Sequence, residues 1–170
     1  MPDVFQFLRQ HEIDFQQVEH PPVFTCEEAE RLLPPMPGTH SKNLFLWYKK
    51  GKRHLLVVVG YEKSVDLKAL AASLNIGSLG FASAERLQRV LGVEPGSVSL
   101  LGLMNDTQGE VEVILDEKIW AADFLQCHPL VNTATLVISH GGIERFLSAT
   151  NHAWRVVDVP ARTAESKPLE

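Results

Sequence analysis

The sequence lacks the cysteine patterns that staple small folds. Its two cysteines, Cys26 and Cys127, stand far apart with no Cys-x-x-Cys, which excludes a disulfide framework or zinc ribbon. A reducing compartment, expected to be the cytoplasm, fits that usage. Long apolar runs are also missing: stretches such as Leu55 to Val59 fall far short of the ~20 residues of a membrane-spanning helix. The opening Met1-Pro2-Asp3-Val4 has no basic region leading into an apolar one, so no signal peptide is expected. There is no Gly-x-Ser-x-Gly elbow, no phosphate loop and no Gly-x-Gly-x-x-Gly fingerprint. The seven histidines (His11, His20, His40, His54, His128, His140 and His152) never fall at His-x-x-x-His spacing. Neither a metal nor another cofactor is therefore expected. Excess positive charge is absent too. A formal net charge of −5 argues against a sequence-indifferent nucleic-acid coat, and no helix shows the basic face of a DNA reader.

What is present describes an ordinary globule. A chain of 170 residues with 45% hydrophobic and 22% charged residues fits one domain, expected over residues 1–160, with a mobile tail over 161–170. Val4, Phe5 and Leu8 predict a short helix, and Phe15 to Glu19 a strand. Thr25-Cys26-Glu27-Glu28 has the form of a capping box, so a helix through Leu33 should follow and end at Pro34-Pro35. Leu44 to Lys49 and His54 to Val59 form the clearest hairpin, joined through Gly51. Asp66 and Ser83 are placed to cap helices, and Gly92 to end the second. Gly96 to Leu103 reads as strand and turn, and Val111 to Leu115, Ala134 to Ile138 and Trp154 to Val157 as strands. A helix is expected over Gly142 to Thr150. Strands and helices mix without a regular βαβ repeat, so the expected class is α+β, a single domain whose mixed, curved sheet is flanked by helices.

Two polar clusters interrupt this pattern. Thr39-His40-Ser41-Lys42-Asn43 precedes Leu44-Phe45, and His128-Pro129-Leu130-Val131-Asn132-Thr133 precedes Ala134. Burying such groups costs free energy unless they find partners, so the two clusters read as lips of one pocket. Asn43 either binds hydroxyl groups or closes a turn. Cys127 and His128 are neighbours on a predicted strand and should face opposite sides, which disfavours a thiol–imidazole pair. Lys49, Lys50, Lys52 and Arg53 surround Gly51, as a solvated hairpin tip or as contacts to a phosphate backbone.

At these clusters the chain resembles the YbaK/ProX superfamily of aminoacyl-tRNA editing domains, and within it the freestanding prolyl-tRNA editing proteins. The resemblance is carried by His20-Pro21-Pro22-Val23-Phe24-Thr25, Lys42-Asn43-Leu44-Phe45 and Val65-Asp66-Leu67-Lys68-Ala69-Leu70. It continues through Phe81-Ala82-Ser83-Ala84-Glu85-Arg86-Leu87, Gly102-Leu103-Met104-Asn105-Asp106 and His128-Pro129-Leu130-Val131-Asn132-Thr133. The resemblance implies a YbaK-like fold and metal-free, cofactor-free hydrolysis of the ester joining a wrong amino acid to tRNA. Ala-tRNA(Pro) is the foremost substrate, with Cys- or Ser-charged tRNA and a non-catalytic aminoacyl-tRNA-binding module as rivals. Lys42 then matches the lysine that holds the terminal nucleotide, Gly102 the loop whose amides face the aminoacyl carbonyl, and His128 the pocket histidine. Asn43, Phe45, Met104, Asn105, Leu130 and Thr133 become candidates for substrate contact, and the segment near Leu33 for a further wall. Lys49, Lys50, Lys52 and Arg53 become candidates for the tRNA backbone. A transient association with prolyl-tRNA synthetase is the implied partnership. The loop departs from the Gly-x-x-x-Pro form of many relatives.

Overall fold

Strand β2 (Thr39–Tyr48) organises the molecule, because the sheet grows from both of its edges. The structure is a computed structural model that describes residues 3–22 and 36–162. Along one edge β2 pairs antiparallel with β3 (Arg53–Gly60). Strand β3 then pairs in parallel with β5 (Val111–Asp116), and β5 in parallel with β8 (Trp154–Val157). Along the other edge, the start of β2 pairs in parallel with β6 (Phe124–Cys127). Antiparallel neighbours β7 (Ala134–Ser139) and β1 (Gln16–Glu19) complete that side. A two-residue strand, β4 (Gly80–Phe81), joins the same edge further along, opposite Trp47 and Leu46. The sheet is mixed and the class is α+β, as expected.

Helices cover both faces. Alternation along β3 sends Leu56 and Val58 to one core and Leu55, Val57 and Val59 to the other, which is why this central strand is apolar throughout. The first core receives α1 (Val4–Gln10), α3 (Ala84–Leu91), a 3₁₀ turn (Leu100–Asn105) and α5 (His140–Ala149). The second receives α2 (Leu67–Ser73) through Leu67 and Leu70. One further turn of helix, α4 (Glu117–Trp120), follows β5. The expected caps are in place: Asp66 accepts from the Ala69 N–H at 3.0 Å and Ser83 from the Arg86 N–H at 3.2 Å. Gly92 ends α3 at φ 68°, a conformation glycine adopts without steric cost.

Several expectations need correction. The hairpin strand begins at Thr39 rather than Leu44, so Lys42 and Asn43 lie inside a strand. Residues 96–103 form no strand. Ser99 accepts from the Leu101 N–H at 3.2 Å and opens the 3₁₀ turn instead, because Leu-Leu-Gly-Leu-Met does not alternate. Ala161 and Arg162, expected in the tail, are pinned: Ala161 bridges to Val65, and the Arg162 N–H donates to the Ser64 carbonyl at 2.7 Å. The helix expected from Thr25 through Leu33 and the rest of the tail lie outside the described residues. Among the described residues no helix is long and apolar enough to cross a membrane.

Candidate active site

The β6 edge of β2 is interrupted. Strand β6 covers Thr39 and His40, and β4 covers Leu46 and Trp47, with the Ala82 N–H donating to the Phe45 carbonyl at 2.9 Å. Between them, from Lys42 to Leu44, that edge has no strand partner among the described residues. The register pairs Thr39 with Leu125 and His40 with Gln126. Carried on at the same offset, it sets Lys42 level with His128, just past the end of β6. Paired residues share a face and successive residues alternate, so Cys127 enters the first core while His128 turns to the face of His40 and Lys42. Ser41 fixes this junction by donating its hydroxyl to the Gln126 carbonyl at 2.9 Å.

His128 is held from two sides. Its carbonyl accepts from the Ser99 hydroxyl at 2.6 Å, which ties the 3₁₀ turn to the site. Its ring Nδ1 makes a long contact of 3.5 Å to the Ala134 carbonyl. A carbonyl only accepts, so Nδ1 carries the proton and Nε2 presents a lone pair. Burial holds the imidazole below the ordinary histidine range, partly offset by the Ala134 carbonyl, with nearby His20 and His40 adding to the lowering. His20 is anchored beside it, Nδ1 to the Pro21 carbonyl and Nε2 to the Thr135 hydroxyl, both at 2.8 Å. His40 stacks on Tyr61 at 4.7 Å between ring centroids. Two residues after His128, Leu130 adopts φ 69°, a strained backbone of the kind that gathers at functional sites.

The Lys42 side chain is half-buried and makes no hydrogen bond or ion pair with another described residue. It is a charge still to be matched. Asn43 points to the opposite face, and its side-chain oxygen is buried without a hydrogen-bond partner. Such an acceptor calls for a donor from outside the described chain. Met104 and Leu130 are half-buried against the first core, and Thr133 is exposed beside the carbonyl that accepts the His20 N–H.

Three expected contacts turn out to be occupied elsewhere. Phe45 is a core residue, buried and stacked on His54 at 5.3 Å. The Asn105 amide donates to the Leu91 carbonyl at 2.8 Å and so closes the end of α3. The Gly102 N–H donates to the Ser99 carbonyl at 2.9 Å, so it is not itself an oxyanion donor. Gly102 serves packing: a Cβ there would lie 3.2 Å from Leu91 Cβ and 3.3 Å from the Leu91 carbonyl. Sequence reasoning passed over Ser41, Ser99 and His20 as site-forming residues. Ser41 and His20 sit inside the stretches that carry the family resemblance, while nothing local marks Ser99.

Burial pushes the thiol of Cys127 up to about 12, so it is not a thiolate nucleophile. No group of three or more side chains among the described residues could hold a metal ion. A cavity of about 310 Å³ lined by Tyr48, Leu74, Glu112 and His152 contains neither Lys42 nor His128.

The model of the aminoacyl-tRNA editing domain family matches residues 20–146, from His20 past both clusters. The chain belongs to this family. The editing domain is 35% identical over 152 residues to the prolyl-tRNA editing protein ProX of Acetoanaerobium sticklandii, covering 89% of this chain and 93% of that one. It is 38% identical over 148 residues to prolyl-tRNA synthetase associated domain-containing protein 1 of Xenopus laevis, covering 84% and 88%. Its fold matches a solved protein described as a candidate trans-editing enzyme for prolyl tRNA synthetase, with TM-score 0.63, 18% identity and 85% of each chain covered.

At the far end of β2, the editing domain turns through Lys49 and Lys50 at φ 53° and 55° and Gly51 at φ 83°. Lys49 and Lys50 line an open groove of about 490 Å³ with Trp47, Gly77 and Arg86. Arg86 donates to the Gly51 carbonyl at 2.9 Å. Arg53 differs from the other cations of the turn, since Glu112 pairs with it at 3.3 Å, and Lys52 is exposed outside the groove.

Proposed function

We propose that this editing domain hydrolyses the ester of mischarged tRNA in trans, with alanine on tRNA(Pro) as its principal substrate. The observation that carries this reading is the Lys42 ammonium, matched by no described residue, level with His128 along the register, at a stretch of strand edge that no described strand covers. An aminoacyl ester is reactive enough to need positioning rather than covalent catalysis. Lys42 holds the phosphate of the terminal nucleotide as a flexible point charge. Water then attacks the aminoacyl carbonyl carbon with help from the neighbouring ribose hydroxyl. The carbon–oxygen bond to the ribose breaks and the ribose oxygen takes a proton. Oxyanion donors come from backbone amides lining the opening, Gly102 excepted. Lysines of the β2–β3 turn contact the tRNA backbone, and release of mischarged product by prolyl-tRNA synthetase supplies the substrate.

Selectivity follows from size. A synthetase site built for proline discriminates against alanine by only about 1–3 kcal/mol per methylene, so a second, smaller site completes the sorting. Leu130 and Met104 supply its walls. tRNA(Pro) charged with alanine, cysteine, serine or proline and offered to the protein in parallel tests this. Alanine is expected to be released fastest and proline spared. Prolyl ester cleaved as fast as alanyl ester would overturn the assignment, and a preference for cysteine or serine would move it to another substrate.

The lowered pKa of His128 gives a second expectation. If its Nε2 lone pair accepts a hydrogen bond during turnover, kcat/KM should rise with pH through a limb lying below the ordinary histidine range. His128→Ala should flatten that limb. The same shift acts on folding. The unfolded chain takes up the proton first as pH falls below about 6.5, so stability present above that pH is lost towards the lower, folded-state value. A pH–rate profile left unaltered by the substitution would reduce His128 to a wall of the pocket.

A further inference from the structure

Phe81 is an aromatic side chain left 60% exposed on a backbone that is fastened on both sides. The Phe81 carbonyl accepts from Trp47 Nε1 at 3.1 Å, and the next residue, Ala82, donates its N–H to the Phe45 carbonyl at 2.9 Å. Gly80 lies so close to Trp47 that a Cβ there would come within 2.8 Å of the indole ring. The strand carrying Phe81 is therefore fixed, while its ring projects into solvent. Its position matters. Phe81 is the cross-strand partner of Leu46, and such partners share a sheet face. By alternation that is also the face of Lys42, four residues back along β2. At ~3.3 Å per residue the separation is roughly 13 Å along the strand.

Lys42 lies across the opening in the strand edge on the same face as this ring. The groove of Lys49, Lys50 and Arg86 begins at Trp47, which alternates to the other face of β2 while its indole N–H donates to the Phe81 carbonyl. Arg86 sits 6.0 Å from the Trp47 ring centre. An exposed aromatic on a fixed backbone, sharing a face with an unmatched lysine on a chain of net charge −5, matches the way proteins bind single-stranded nucleic acid, with bases stacked on rings and phosphates held by nearby cations. A lone exposed apolar residue needs no explanation. One that is carried on a fixed strand and shares the face of Lys42 does.

We propose that Phe81 is a stacking platform for an unpaired base of the tRNA 3′ end, next to the terminal adenosine that Lys42 holds. Phe81 thereby extends the substrate site from the ester towards the basic turn. This rests on the aminoacyl-tRNA reading above, and the experiment separates the two. Wild type, Phe81→Ala and Phe81→Tyr are compared on alanyl-tRNA and on alanyl-adenosine, which carries the ester but none of the preceding nucleotides. Phe81→Ala should raise KM for alanyl-tRNA about tenfold, the effect of losing one stacked base, with kcat little changed. Hydrolysis of alanyl-adenosine should be unaltered, and Phe81→Tyr should restore KM. Equal losses on both substrates, or no loss on the tRNA, would overturn the platform. A readout independent of turnover uses an uncharged acceptor-end RNA hairpin with 2-aminopurine in place of the nucleotide before the terminal adenosine. Its fluorescence should be quenched by wild type and Phe81→Tyr but not by Phe81→Ala. Quenching together with absent hydrolysis would uphold the platform while overturning the catalytic reading. Absent quenching would overturn the platform whatever the hydrolysis assay shows.

Discussion

Replacing Lys42 with alanine is expected to lower kcat/KM for alanyl-tRNA about a hundredfold while leaving thermal stability nearly unchanged. Both halves follow from its surroundings. A charge-assisted hydrogen bond contributes about 1.5–3 kcal/mol, and each 1.4 kcal/mol is tenfold. Stability should hold because the Lys42 side chain makes no hydrogen bond or ion pair with another described residue, so truncation strands no described partner. Lys42→Arg should recover only part of the rate, since a planar fork replaces a flexible point charge. Steady-state kinetics and a melting curve on the same preparations decide it. Deacylation and affinity both unchanged in Lys42→Ala would remove the phosphate-holding role.

The opposite pattern, stability lost first, is expected at Asp106. Its carboxylate accepts from the Glu110 and Val111 N–H groups at 3.0 and 2.9 Å and meets His152 Nε2 at 2.8 Å, with both side chains 1% exposed. His152 in turn contacts the Thr150 hydroxyl at 2.8 Å. One carboxylate thus starts β5 and fixes the approach to β8. Asp106→Ala strands two amide donors, that of Val111 buried, and a buried imidazole. Removing one partner of a buried pair costs about 3–5 kcal/mol, which for a chain of this size lowers Tm by roughly 10 °C. Asp106→Asn keeps an acceptor and should lose less. A melting temperature within a degree or two of wild type for Asp106→Ala would show that the network contributes little.

Features that depend on neighbouring residues were legible in the sequence. Asp66, Ser83 and Gly92 announced their helix ends because capping is chemistry over three or four residues. The β2–β3 hairpin declared itself through β-branched and aromatic runs around a glycine turn. Strand β6 did not, since Phe-Leu-Gln-Cys contains no β-branched residue. It exists because β2 and β7 lie on either side of it. The site divides in the same way. Lys42 and His128 were visible as polar residues that no strand would otherwise carry. Their juxtaposition depends on a short parallel pairing between segments distant in sequence, and on the Ser41 and Ser99 hydroxyls that fix it. The role of Asn105 is hidden because its partner, Leu91, sits on a helix whose docking no local pattern reveals.

The stretch of the β2 edge that no described strand covers carries a hazard unrelated to ester cleavage. Bare main-chain amides and carbonyls along a strand are a template onto which any extended peptide can add, the first step of aggregation. A hydrophobic stretch there would invite such pairing whenever the site stood empty. A lysine and an asparagine in the gap, flanked by two short capping strands, make it a poor template. The residues assigned to substrate binding thus also help to keep the empty protein apart from its own copies.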